Sequence, residues 1–106
     1  MEYDSNNVKS KQQKVALITG SSSGIGFDTS LLFARNGIYT YATMRNLGKS
    51  KVILDFARKE GMPLKVLSLD VTDEDSIGQA IDKVENEQNK IDILVNNASF
   101  ILQSNT

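Results

Sequence analysis

The chain has 106 residues, with Lys+Arg 12 against Asp+Glu 13, a formal net charge of −1, and neither cysteine nor histidine. That length holds one small domain, and the charge balance leaves no basic field for nucleic acid. Disulfides, thiolate catalysis, serine–histidine hydrolysis and imidazole-ligated metal sites are excluded by the missing side chains.

Residues 1–13 (MEYDSNNVKSKQQ) are polar and without a period, which predicts a flexible N-terminal arm and no secretory signal. No stretch approaches the ~18–20 apolar residues of a membrane span, so a soluble cytoplasmic protein with no membrane partner is expected. Residues 14–19 (KVALIT) form a short apolar run that stops at Gly20, the pattern of a buried parallel strand. A helix follows over 24–36, with Ile25, Leu32 and Phe33 apolar and Gly37 as its C-terminal stop. Residues 38–43 (IYTYAT) are β-branched and aromatic, a second strand. Residues 47–60 read as a second helix that places Val52, Ile53, Phe56 and Ala57 on one face and ends at Gly61.

A third strand is expected at 64–69 (LKVLSL), after the chain's single proline, Pro63. Thr72 is the expected cap of a third helix, with Asp73, Glu74 and Asp75 complementing its dipole and Ile77, Ala80, Ile81 and Val84 forming its apolar stripe. Residues 91–95 (IDILV) supply a fourth strand, and the last residues, 100–106, form no further element. The order βαβαβαβ predicts right-handed crossovers and a parallel sheet. The fold class is therefore α/β, about four parallel strands joined by crossover helices.

Between the first strand and first helix lies Thr19-Gly20-Ser21-Ser22-Ser23-Gly24-Ile25-Gly26. Its physical logic is phosphate binding. Gly20 permits a tight turn, Gly24 clears the approach of a pyrophosphate, and Gly26 lets the helix pack close to the sheet. The helix start adds bare N–H groups and the positive end of a dipole. A mononucleotide P-loop is excluded, because that motif ends in Gly-Lys-Ser/Thr whereas this turn runs into Gly26-Phe27-Asp28.

These residues resemble the short-chain dehydrogenases/reductases, in the compact branch whose cofactor turn is Thr-Gly-x-x-x-Gly-x-Gly. Two further motifs fall at matching positions: Asp70-Val71 after the third strand, and Asn96-Asn97-Ala98 after the fourth. The family has glycine where this chain has Ser99, a departure in the loop that approaches the cofactor. The resemblance spans about residues 14–102 and implies a nicotinamide dinucleotide held by Gly20, Ser22, Ser23, Gly24, Ile25, Gly26, Asp70, Val71, Asn97 and Ala98. It also implies a Rossmann-like three-layer fold with the strand order 3-2-1-4, and it places Asp70 at the adenine ring. Each of Asp70 and Asn97 also has a plain reading as turn or capping chemistry.

The end of the second strand bears on which cofactor is held. An acid there would bond the adenosine ribose and repel a 2′-phosphate. This chain reads Ala42-Thr43-Met44-Arg45-Asn46, with no acid and an arginine able to fork onto a phosphate. NADP(H) is therefore expected over NAD(H). The resemblance adds Ser22 as a helper at the same phosphate, and a solvated loop cation is the plain alternative for Arg45.

In the resembling family a Tyr-x-x-x-Lys pair carries the proton, with a serine and an asparagine, all beyond the fourth strand. Residues 1–106 contain no such pair. Tyr41 is followed at that spacing by Arg45, which cannot tune a proton as lysine can, and Asp28 and Asp92 read as solvated or turn residues. The sequence thus points to the N-terminal, cofactor-binding part of an NADP(H)-dependent short-chain oxidoreductase, with 14–106 a partial Rossmann domain and no catalytic residue. A non-catalytic dinucleotide-binding half-domain is the alternative, and a remnant that binds nothing a third. The apolar fourth strand would be an edge, open to self-association.

Overall fold

A computed structural model describes residues 13–97. Residues 1–12 of the expected arm over 1–13, and Ala98 with the tail that follows it, lie outside the described residues. The elements are β1 (Val15–Ile18), α1 (Gly24–Arg35), β2 (Tyr39–Met44), a 3-10 turn (Leu47–Lys49), α2 (Lys51–Glu60), β3 (Leu64–Ser68), α3 (Glu74–Gln88) and β4 (Ile93–Val95). The strands form one parallel sheet, as the alternation of strands and helices predicts, in the order β3-β2-β1-β4 that the resemblance implies. Register places Leu17 beside Tyr41 and Leu94, and Met44 beside Ser68.

The two faces of the sheet have separate cores. Val15, Leu17 and Tyr41 pack with Leu69 against Ala80 and Val84 of α3. Ala42 and Met44 pack with Leu31 of α1 and Ile53 of α2 on the opposite face. Every residue of β1 is buried, which explains why it reads as an unbroken apolar run rather than an alternating one. Among the described residues, no helix is long and apolar enough to cross a membrane.

Three local expectations are corrected, and the buried side of α1 is defined. The helix read over 47–60 is divided: Asn46 accepts a hydrogen bond from the Gly48 N–H at 2.8 Å, tightening Leu47–Lys49 into a 3-10 turn before α2 starts. Helix α3 is capped by Asp73 rather than Thr72, with the Asp73 carboxylate accepting from the N–H groups of Asp75 and Ser76 at 3.0 and 3.4 Å. The buried side of α1 is Gly26, Ser30, Leu31 and Ala34, while Ile25 is 75% exposed and Leu32 also faces outward. On α2 the sheet takes Ile53 and Ala57, leaving Val52 exposed and Phe56 in an edge-on contact with Phe27 at 6.1 Å. Ile53 and Ala57 of the expected α2 face thus do meet the sheet, whereas Val52 of that face does not.

Candidate nucleotide-binding site

The turn after β1 is fastened on both flanks. The Thr19 N–H donates to the Val95 carbonyl at 3.0 Å, and the Ser21 N–H donates to the Thr43 carbonyl at 2.9 Å. The hydroxyls of Ser21 and Thr43 both donate to the Ile18 carbonyl, at 3.0 and 2.9 Å. Both side chains are buried, so these bonds satisfy hydroxyls that would otherwise be costly to desolvate. Gly20 then turns with φ +64°, a left-handed conformation that favours glycine.

Gly26 is the point of closest approach. A Cβ there would overlap the Gly20 carbonyl and come within 2.8 Å of the Asn97 amide nitrogen. The Asn97 Nδ2 donates to the same Gly20 carbonyl at 3.2 Å. Three residues singled out in the sequence, Gly20, Gly26 and Asn97, therefore meet at one carbonyl oxygen. Ser23 stands at the cap position of α1 in extended conformation, and its side chain makes no capping bond. The first-turn N–H groups of α1 thus have no side-chain acceptor from Ser23, and no acidic residue lies in that turn.

Beside this turn, at the C-terminal edge of the sheet, a pocket of about 310 Å³ opens. Gly20 and Ser22 form one wall. Arg45, Asn46 and Lys49 come from the segment after β2, and Asp70, Val71 and Thr72 from the segment after β3, over Met44 and Leu69. Five of the sequence-derived candidates line it: Gly20, Ser22, Arg45, Asp70 and Val71. Ser23, Gly24, Ile25, Gly26 and Asn97 do not border it. Asn46, Lys49 and Thr72 were missed. Lys49 was hidden by reading its segment as regular helix, and Thr72 by assigning its hydroxyl to the helix cap.

Asp70 is held in place by Thr72, whose hydroxyl and N–H donate to Asp70 Oδ1 at 2.7 and 2.9 Å. These two bonds, the hydroxyl's first, keep the Asp70 carboxyl below its ordinary range, and the positive charge of Arg45 acts in the same direction. The Asp70 N–H in turn donates to the Ser76 hydroxyl at 2.9 Å. A rigid carboxylate and an exposed guanidinium thus border one cavity.

The described tyrosines carry no proton chemistry to this pocket. Tyr41 is buried, and its hydroxyl donates to Glu87 at 2.6 Å. Burial, then this bond, pushes the Tyr41 hydroxyl up to about 12. Asp92, expected as a solvated or turn residue, instead accepts from the Val15 N–H at 2.8 Å and the Lys90 ammonium at 3.0 Å, and so ties the start of β4 to β1. Among the described residues, no cluster of acidic side chains could hold a metal ion.

Comparison with known proteins agrees with this geometry. The family model for short chain dehydrogenases matches residues 14–106. The chain is 48% identical over 91 residues to the 3-oxoacyl-(acyl-carrier-protein) reductase FabG of Thermotoga maritima, covering 82% of this chain and 35% of that protein. A short-chain dehydrogenase/reductase structure from Burkholderia xenovorans superposes with a TM-score of 0.77 at 31% identity, over 82% of this chain and 37% of that one. An actinorhodin polyketide ketoreductase solved with NADPH matches with a TM-score of 0.76 at 26% identity, over 82% of this chain and 33% of that one. The chain spans about a third of the length of the curated relatives it matches. It belongs to the short chain dehydrogenase family.

Proposed function

We propose that this stretch is the cofactor-holding part of an NADP(H)-dependent short-chain oxidoreductase, which moves a hydride between a nicotinamide and a carbonyl or alcohol substrate. The observation that carries the reading is the pocket itself: Ser22, Arg45 and Asp70, from three separate loops, border one cavity at the sheet edge where open α/β folds take ligands. The residues present fit a phosphate-bearing dinucleotide. The Gly24 Cβ position is open, with nothing within 4 Å, and the start of α1 lacks a side-chain cap.

When bound, the dinucleotide supplies or accepts the hydride at its nicotinamide. The chain's own residues hold and orient it. The α1 start and Ser23 face the pyrophosphate with Gly24 and Ile25, while Gly26 and Asn97 keep the turn in place. Asp70 and Val71 receive the adenine, and Arg45 with Ser22 takes the ribose phosphate. Arg45→Asp tests the last assignment: NADP+ affinity falls by about tenfold or more while NAD+ affinity holds or rises. Unchanged discrimination would make Arg45 an ordinary loop cation.

A holding role without catalysis is the second reading for residues 13–97, favoured by Tyr41 of β2, whose hydroxyl is committed to Glu87 of α3 and which lies outside the pocket lining. Self-association through β4 belongs to the same proposal. Leu94 is 63% exposed, and among the described residues β4 pairs only with β1.

A further inference from the structure

Helix α1 closes on Asn36-Gly37, the single Asn-Gly step in the sequence. The Asn36 Nδ2 donates back to the Leu32 carbonyl at 2.8 Å, and the Gly37 N–H donates to the Ala34 carbonyl at 3.1 Å. The Ile38 N–H reaches the Phe33 carbonyl at 3.1 Å, and Gln13 Nε2 donates to the Gly37 carbonyl at 3.0 Å. Gly37 has φ +81°, the left-handed stop of a helix. Both residues of the step are exposed, so water reaches them.

An Asn-Gly step carries chemistry of its own, because glycine leaves the following backbone nitrogen uncrowded. The Gly37 nitrogen gives its proton to water or hydroxide and attacks Asn36 Cγ. The N–Cγ bond forms, the Cγ–Nδ2 bond breaks, and ammonia leaves. Water then opens the five-membered imide at either carbonyl, giving aspartate or isoaspartate with no change of oxidation state. In the closed turn both partners are occupied: the attacking nitrogen is committed to Ala34 and the leaving amide to Leu32. Both bonds must break before the ring can form.

We infer that Asn36-Gly37 is a site of spontaneous deamidation, gated by fraying of the C-terminal turn of α1. Helix ends open more readily than cores, so the gate works without global unfolding. The product strains the fold. A carboxylate at position 36 cannot donate to the Leu32 carbonyl, and it sets a negative charge against the negative end of the α1 dipole. The adjacent Arg35 is already engaged by both oxygens of Glu60, at 2.9 and 3.0 Å. The reaction therefore loosens the joint between α1 and β2. That joint lies at the start of β2, away from the pocket lining, so the inference is independent of the dinucleotide reading.

The test incubates the full chain in mildly alkaline buffer with and without denaturing urea, and follows the amide-to-acid mass gain at each asparagine by peptide mapping. In urea Asn36 reacts faster than every other asparagine, and in buffer it reacts about tenfold or more slowly than in urea. Gly37→Ala slows the reaction in urea by about tenfold, because a side chain crowds the attacking nitrogen. Asn36→Asp, which carries the charge of the product, lowers the urea unfolding midpoint further than Asn36→Ala, which only loses the donor. Circular dichroism verifies that each variant is folded in buffer. Equal rates at Asn36 in buffer and in urea overturn the gate. A rate in urea no higher than that of the other asparagines overturns the site. An Asn36→Asp midpoint at or above that of Asn36→Ala overturns the loosening of α1.

Discussion

The Asn97 side-chain amide donates to the Gly20 carbonyl at 3.2 Å, joining the exit of β4 to the turn that follows β1 across 77 residues of sequence. The same carbonyl is what a Cβ on Gly26 would strike. The glycine turn is therefore shaped by the end of another strand as much as by its own residues.

Gly26→Ala accordingly forces the turn or α1 to shift. It should cost about 1–3 kcal/mol of stability, the usual range for overpacking, and weaken dinucleotide binding by more than that structural loss accounts for. Asn97→Ala should weaken binding with a smaller loss of stability. Urea unfolding beside nucleotide titration separates the two effects, and an unperturbed Gly26→Ala would contradict the close approach.

Capping of α3 gives a contrast between neighbours. Asp73→Ala removes the side chain that holds two first-turn N–H groups and should cost about 1 kcal/mol. Thr72→Ala leaves that cap intact and instead frees the Asp70 carboxylate, so its effect should appear in nucleotide affinity. Chemical denaturation of the pair would contradict this assignment if Thr72→Ala were the more destabilising.

The Tyr41–Glu87 bond sets a pH dependence of stability. Hydrogen bonds from Tyr41 first, then Lys65, hold the Glu87 carboxyl down at about 2 against an ordinary 4.5. Its stabilisation is complete above pH 4.5 and drains away as pH falls towards 2. The Tyr41 hydroxyl lies at about 12 against an ordinary 10, so its contribution is complete below pH 10 and is lost as pH rises towards 12. Tyr41→Phe should remove the alkaline loss and flatten the acid one, read from unfolding midpoints across pH. Curves that stay parallel to those of the unaltered chain would contradict it.

Much of this architecture is legible in the residues. Apolar runs ending at Gly20 and near Arg45 and Asp70 mark parallel strands, and the helices between them dictate right-handed crossovers, while the order 3-2-1-4 was legible only through the motif resemblance. The pocket candidates were legible for the same reason, since they sit where strands end. What escaped was set by side chains meeting across the fold. Nothing local to Tyr41 announces Glu87, 46 residues away. Nor does residue type separate Thr72 from Asp73 as a cap, because both carry suitable oxygens. Lys49 was concealed by Asn46, whose bond to the Gly48 N–H changes the local period from helix to tight turn.

The β4 edge predicts concentration-dependent association. Leu94→Lys places a charge on an exposed apolar position and should shift sedimentation towards the monomer. A monomer at all micromolar concentrations in the unaltered chain would contradict self-association through this strand.

The central claim, that the pocket beside the glycine turn receives a dinucleotide through its ribose phosphate, is tested most directly by titrating the unaltered chain with NADPH and with NADH. Charge-assisted contacts to that phosphate predict NADPH binding tighter by about tenfold or more. Binding of neither, or NADH held as tightly as NADPH, would contradict it.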